Sequence, residues 1–401
     1  MKALIISPTP THPANAGNRV HILSLCHLLR AAGWQVHFLY LAYESYDEAT
    51  MRDFFQQHLY IVPREELFGR HPLVPYYQGR LAHRFHHLRR KSQQGKGLIS
   101  ELQYLYNTEL DENFPIGAGS MIRQLEKKNR YDVVVCEYAY ISKALTFFGK
   151  DVVKVLDTHD CFTDRFKVYL ENNLQPSWIS LYEDQEKRAL DRANVVLAVQ
   201  EKEKQFFESL SATEVIRYTY VPEMRALPAR HFEQKLLYFA SDNDINRLTL
   251  QYFLQEIMPK LREECPGISL LIGGKISHKV DAVSNDVIVL GEFDDPGLFY
   301  AKGDIVINPE QKGTGYKIKA LEALSYGLPY VSTSKGAVGV LEPFMDHLAL
   351  ADGTDDFVMA VKRLVGDPGL RQRVSANAVR WMERYRAEMT TSLLEHLVKM
   401  V

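Results

Sequence analysis

The stretch "INPEQKGTGYKIKALEALSYGLPYVSTSKG", residues 307–336, changes its period twice. It opens as the end of an apolar strand and turns through Gly313 and Gly315. It then continues as "YKIKALEALSY", whose apolar residues recur at helical spacing. Gly327 stops that helix and Pro329 follows it, which is ordinary C-terminal punctuation. "PYVST" (329–333) reads as the next strand. Strand, Gly-rich turn, helix and strand make the repeating unit of a parallel α/β sheet. Ligands of such sheets bind beyond the C-terminal strand ends. The first amides of a helix favour an anion there, and glycines let the backbone come close to it.

Laid out at about 100° per residue, Glu322 falls on the edge of the apolar stripe, with Lys317 and Lys319 flanking that stripe. A carboxylate on a core-facing edge is costly unless it is paired or accepts hydrogen bonds. Two readings stay open: an ordinary Glu322–Lys319 helix pair, or a carboxylate that accepts from a ribose diol. Two better-known phosphate motifs are not met. "GTGYKIKA" lacks the Gly-Lys-Ser/Thr of a P-loop, and position 318 is Ile where the dinucleotide fingerprint needs a third glycine.

Working outward, short apolar runs alternate with amphipathic segments along the whole chain. Strands are expected at 2–7, 35–42, 132–138, 152–159, 195–200 and 214–221, and again at 235–241, 268–274, 287–293, 304–309 and 329–333, with helices such as 20–33 and 246–265 between them. "PEMRALPARHFE" (222–233) reads as a linker, and 373–401 as a long helix with Trp381 and Tyr385 four apart. A chain of 401 residues suits two domains rather than one core. The expected fold is therefore α/β, with two tandem Rossmann-like doubly wound domains facing across a cleft. The expected extents are 1–225, 226–375 and a C-terminal helix, 376–401, crossing back to the N-terminal domain.

Composition excludes several classes. With 48 basic and 50 acidic residues the formal charge is −2, so no global field for nucleic acid is expected. The cysteines Cys26, Cys136, Cys161 and Cys265 show no CxxC spacing, which fits a reduced compartment. The N-terminal apolar run stops at Pro8, and no run of about 18 apolar residues exists. A cytoplasmic protein is expected. Residues 60–100 depart from the alternation, with eight Lys/Arg against Glu65 and Glu66. They read either as a solvated basic face on an inserted helical hairpin, or as a patch facing anionic lipid or a phosphate-bearing acceptor, in peripheral contact with the inner face of the membrane. No His/Cys/Asp/Glu cluster has metal-ligand spacing, so no metal is expected.

"GTGYKIKALEALSYGLPYVST" resembles the donor-binding signature of GT-B glycosyltransferases, in particular the large retaining family 4 (glycosyl transferases group 1). Four further stretches agree with that family in order: "PANAGNRVHILSLCHLLRAAGWQVHFL", "VLDTHD", "LLYFASDNDINRLTLQYFLQEIMPKL" and "GEFDDPGLFYAKGDIVINP". The resemblance spans nearly the whole chain apart from about 45–130. It implies a transferase moving a sugar from a nucleotide-sugar, UDP- or GDP-linked, to a glycan, lipid-linked or protein acceptor, with retention and with no cofactor. Carried over to this sequence, it implies that Glu322 accepts from the ribose and that Gly313, Thr314, Gly315 and Tyr316 line the pyrophosphate and donor sugar. Lys317 neutralises the diphosphate, Gly17 and Asn18 close onto it, His159 contacts the transferred sugar, and Asp160 fixes that sugar or the acceptor.

The chain also departs from the family. Thr314 stands where a second glutamate is usual, which opens the reading of an inactive nucleotide-sugar-binding subunit. The arginine–lysine pair after the first strand of the second domain is replaced by "SDNDINR", so Asn246 and Arg247 are expected near the donor, with Arg247 sharing the phosphate charge with Lys317. A GT-B nucleotide-sugar epimerase is a further alternative. Bland readings stand beside these: His159 as a satisfied histidine at a domain edge, Asn18 as a helix N-cap, and Trp178 as packing.

Overall fold

The structure, a computed structural model, describes residues 1–68, 98–115, 117–280, 284–293, 295–312, 317–340 and 347–401. The expected helical hairpin of the basic segment falls largely on 69–97 and lies outside the described residues, as do Gly313, Thr314, Gly315 and Tyr316. The chain divides into two compact units: Met1–Ala14, Asn18–Thr219 and Thr391–Val401 form the first, and Asn15–Gly17 with Tyr220–Thr390 the second.

The first unit is built on a seven-stranded sheet. Its strands are β1 (Lys2–Ser7), β2 (Gln35–Leu41), β3 (Leu59–Val62), β4 (Val133–Glu137), β5 (Val153–Asp157), β6 (Val195–Ala198) and β7 (Glu214–Arg217). They lie in the order β3-β2-β1-β4-β5-β6-β7, all in parallel. Continuous apolar runs such as "ALII" exist because helices cover both faces of the sheet, so alternate residues must all be apolar. Leu4 and Ile6 join Leu39, Val134 and Leu156 on one face, while Ala3 and Ile5 join Phe38, Val133 and Val155 on the other.

The second unit repeats the plan. Its strands are β8 (Lys235–Phe239), β9 (Ser269–Gly273), β10 (Val287–Gly291), β11 (Ile305–Asn308), β12 (Tyr330–Ser332) and β13 (Ala349–Leu350). Their order is β10-β9-β8-β11-β12-β13, again parallel throughout. In each sheet the winding direction reverses once, between β1 and β4 and between β8 and β11. Ligand sites of open α/β sheets sit beyond the C-terminal strand ends at such a reversal.

The last helix runs unbroken from Pro368 to Met400 and so begins before residue 376. Trp381, Tyr385 and Met389 are buried in the second unit, where Trp381 and Tyr385 stack at 5.1 Å. Leu393 and Leu397 are buried in the first unit. Two edge strands, β3 and β13, were not expected from the sequence. Each is short, four residues and two, and an edge strand needs no long apolar run because one of its sides has no partner.

Candidate functional site

In the second unit the strand reversal gathers a compact polar group. β11 ends in Asn308, which is fully buried. Its side-chain amide donates to the Gly336 carbonyl at 2.9 Å. A Cβ on Gly336 would run into the Asn308 backbone and amide, so this close approach needs glycine. Beyond Asn308 the chain passes Glu310 and reaches Lys317, the residue before the helix Ile318–Ser325. Lys317 Nζ donates to Glu310 Oε1 at 2.5 Å, and the two residues are 7% and 2% exposed. Lys319 turns another way. Its Nζ donates to Asn246 Oδ1 at 3.0 Å and to Asn308 Oδ1 at 3.4 Å, and lies 5.1 Å from the centre of the Tyr238 ring. Burial pulls the Lys319 ammonium down to about 8, against the opposing pull of Glu310.

Glu322 sits one turn further along. Its Oε2 accepts from the Tyr300 hydroxyl at 3.0 Å, and the Tyr300 ring stacks on Tyr326 at 5.0 Å. Burial pushes the Glu322 carboxyl up to about 7, although the Tyr300 hydrogen bond and the Lys319 charge work against it. Glu322 and Lys319 form no ion pair, so the ordinary helix pairing is not what occupies this carboxylate. Tyr300 and Glu310 were not singled out from the sequence, because strand-end geometry is what brings them to Glu322 and Lys317. Arg247 spends its guanidinium on Asp242 at 2.7 Å and Asp244 at 3.0 Å, at the exposed start of its helix. Its neighbour Asn246 faces the strand ends instead. Tyr300→Phe is expected to weaken about 10-fold the binding of the nucleoside diphosphate that the family resemblance implies, the loss of one hydrogen bond to a charged group at the low end of its range. Titration calorimetry reads this directly.

The first unit carries a second group, at the ends of β4 and β5. Glu137 and Asp157 are each the last residue of a strand and each fully buried. Asp157 Oδ2 is 2.7 Å from His21 Nε2, and Glu137 Oε2 is 2.6 Å from His159 Nε2. His159 takes a left-handed backbone (φ 60°) just past β5. Its ring stacks on Tyr138 at 4.1 Å, and the Tyr138 hydroxyl accepts from Asn18 Nδ2 at 2.9 Å. Burial, with Asp157 beside it, pushes the Glu137 carboxyl well above the carboxylate range. Burial pushes Asp157 the same way, but His21 and His159 outweigh it and hold Asp157 low. Burial lowers His159, with Asp157 and Asp160 opposing.

Donor atoms of His21, Asp157 and His159 all lie within 4.8 Å of one another. No metal-ligand spacing was expected from the sequence, since these three residues come from a helix, a strand and a loop. Asp160 pairs with Arg165. The loop that follows Asp160 is tied to the buried Glu186, which accepts from the Phe162 and Thr163 amides at 2.8 and 2.6 Å. Trp178 is about half exposed, so it serves neither as core packing nor as part of either group. Gly17 opens the helix Gly17–Ala31, which places Asn18 inside the first turn rather than at its cap.

Residues 233–367 match the family model described as Glycosyl transferases group 1. A curated relative from Klebsiella pneumoniae, an uncharacterized 44.6 kDa protein in the cps region, is 22% identical over 386 residues, covering 91% of this chain and 90% of its own. Sucrose-phosphate synthase from Thermosynechococcus elongatus superposes with a TM-score of 0.64 at 14% identity, covering 100% of this chain and 98% of its own. HepE of Anabaena, solved with UDP and glucose, does so with a TM-score of 0.61 at 14% identity, covering 99% of each chain.

Proposed function

We propose that this chain, a glycosyltransferase of GT-B fold whose residues 233–367 match Glycosyl transferases group 1, moves a sugar from a UDP- or GDP-linked donor to a glycan, lipid-linked or protein acceptor, with retention of configuration. The observation that carries this reading is the polar group at the β8/β11 reversal. There Glu322, held by Tyr300, presents a carboxylate on the same short helix as the partly buried Lys319, with the buried Lys317 at the helix start. A nucleoside diphosphate has the matching chemistry: a diol for the carboxylate and an anion for the ammonium groups and the helix amides. The structure of Anabaena HepE with UDP and glucose supports the choice of ligand class.

In this reading Glu322 accepts from the ribose hydroxyls. Gly313, Thr314, Gly315 and Tyr316 line the diphosphate and sugar, as the family pattern implies. In the first unit, His159 and Asp160 are the residues proposed for the transferred sugar and the acceptor, with Asn18 of that unit and Gly17 of the second assisting the donor. In the transfer, the bond from the anomeric carbon to the bridging β-phosphate oxygen breaks, and its electron pair stays on that oxygen. The acceptor oxygen bonds to the anomeric carbon, and its proton passes to the departing phosphate. Stabilising that phosphate with preorganised donors is the main service the second unit can offer.

A role in cell-surface polysaccharide synthesis, at the cytoplasmic face of the membrane, is proposed on the likeness to the Klebsiella pneumoniae protein of the cps region. Among the described residues no helix is long and apolar enough to cross a membrane.

The test is a screen of the purified protein with UDP-, GDP- and TDP-sugars, following binding by calorimetry and release of nucleoside diphosphate by a coupled assay. One donor is expected to bind and to be slowly hydrolysed without acceptor. Binding without hydrolysis favours the inactive-subunit reading that Thr314 raises, and no binding of any donor sinks the proposal.

A further inference from the structure

The second unit holds two lysines two residues apart in opposite electrostatic situations. Lys317 Nζ lies 2.5 Å from Glu310 Oε1, with both side chains buried. Such a pair is neutral as a whole, and removing one half strands the other. Lys319 has neutral partners: the amide oxygens of Asn246 at 3.0 Å and Asn308 at 3.4 Å, and the face of Tyr238 at 5.1 Å. Glu322, one helical turn on, gives its carboxylate to Tyr300. Among the described residues its hydrogen bonds go to neutral dipoles; the charges of Glu310 and Glu322 reach it without an ion pair, and burial outweighs them and loosens its proton.

The place of that ammonium is as informative as its charge. Asn246 stands in the first turn of the helix Asp244–Tyr252, just beyond β8, and Asn308 is the last residue of β11. These are the two strands between which the sheet reverses. The two amides therefore pin the Lys319 ammonium at the topological switch point, where ligands of such sheets bind.

We infer that Lys319, rather than Lys317, is the cation that meets the donor diphosphate, held in place by Asn246 and Asn308. The inference rests on the donor reading above. Lys317 instead keeps Glu310 neutralised. Lys319 also fills the gap left where "SDNDINR" lacks an arginine–lysine pair, since Arg247 is occupied by Asp242 and Asp244. As the bond to the anomeric carbon breaks, Lys319 donates hydrogen bonds to the diphosphate oxygens that gain charge and keeps its own proton.

The test compares uridine with UDP, or guanosine with GDP, by calorimetry on the wild type, Lys319→Met, Lys317→Met and Asn246→Asp. Lys319→Met is expected to cut the advantage of the diphosphate over the nucleoside about 30-fold or more, with nucleoside affinity unchanged. Asn246→Asp, which gives the ammonium a counter-charge, should cut the same advantage without removing the lysine. In thermal unfolding Lys319→Met should match or exceed the wild type, whereas Lys317→Met should melt earlier because Glu310 is left buried and alone. A wild-type diphosphate advantage in both Lys319→Met and Asn246→Asp overturns the inference, as does a loss that follows Lys317→Met instead. A wild type that binds neither diphosphate overturns the donor reading itself, which separates the two failures.

Discussion

Glu322→Ala is expected to lower nucleoside diphosphate affinity about 100-fold, the sum of two hydrogen bonds to a charged acceptor at the lower end of their range. The carboxylate sits on the core-facing side of its helix, and its one hydrogen bond among the described residues comes from the Tyr300 hydroxyl at 3.0 Å. A carboxylate so placed has accepting capacity to spare, since an ionised carboxyl offers about four lone-pair sites. The decisive measurement is a cycle with the 2′,3′-dideoxy nucleotide. The wild type should lose roughly the same factor when the ligand's hydroxyls are removed, and Glu322→Ala should lose nothing further. Independent, additive losses would place the carboxylate elsewhere.

The pH profile gives a second check on the same site. Burial raises the Glu322 carboxyl to about 7, and accepting two hydrogen bonds requires its ionised form. Affinity should therefore fall as pH drops below 7, by up to about tenfold per unit. Burial lowers Lys319 to about 8, and an anion is held by the protonated form. Affinity should fall again above pH 8, so the optimum lies between the two values. Glu322→Gln should abolish the acid limb and leave the alkaline limb in place.

Much of the fold was legible in the sequence because a parallel sheet covered on both faces writes itself as continuous apolar runs. "KALIIS", "DVVVCEY" and "DIVINP" each became a strand at the expected position. β3 and β13 escaped because an edge strand of four or two residues makes no such run. The site was legible only in part, and the division has a physical cause. Glu322 lies on a short helix and Lys317 directly before it, close enough in sequence for a helical wheel to place both. His21 and Asp157 lie 136 residues apart, and His159 is 22 residues from Glu137. Those pairs exist only because β1, β4 and β5 are neighbours in the sheet, and spacing along the chain carries no record of that adjacency. The contrast between Lys317 and Lys319 was likewise hidden. A wheel puts both beside the apolar stripe, but only the fold shows that one faces Glu310 and the other two amides.

The largest stability effect is expected at Glu203, on the first turn of the helix Glu201–Leu210 that follows β6. The residue is 6% exposed. Its Oε1 accepts from Gln200 Nε2 at 2.8 Å, while its Oε2 is buried with no hydrogen-bond partner. Burial, and then the charge of Asp160, push the carboxyl up to about 8. The sign follows from comparing states. The unfolded carboxyl titrates near 4.5, so between pH 4.5 and 8 the folded protein holds a proton that the unfolded chain has released. Stability is therefore lost as pH rises through that window, by about 4–5 kcal/mol in the limit. Glu203→Gln keeps the shape and the Gln200 contact but cannot ionise. It should match the wild type at pH 5 and unfold at clearly higher temperature or urea concentration at pH 8. Equal behaviour of the two proteins at pH 8 would show that the carboxyl is not protonated in the fold. The neighbour that raises Glu203 is Asp160, the residue proposed to fix sugar or acceptor.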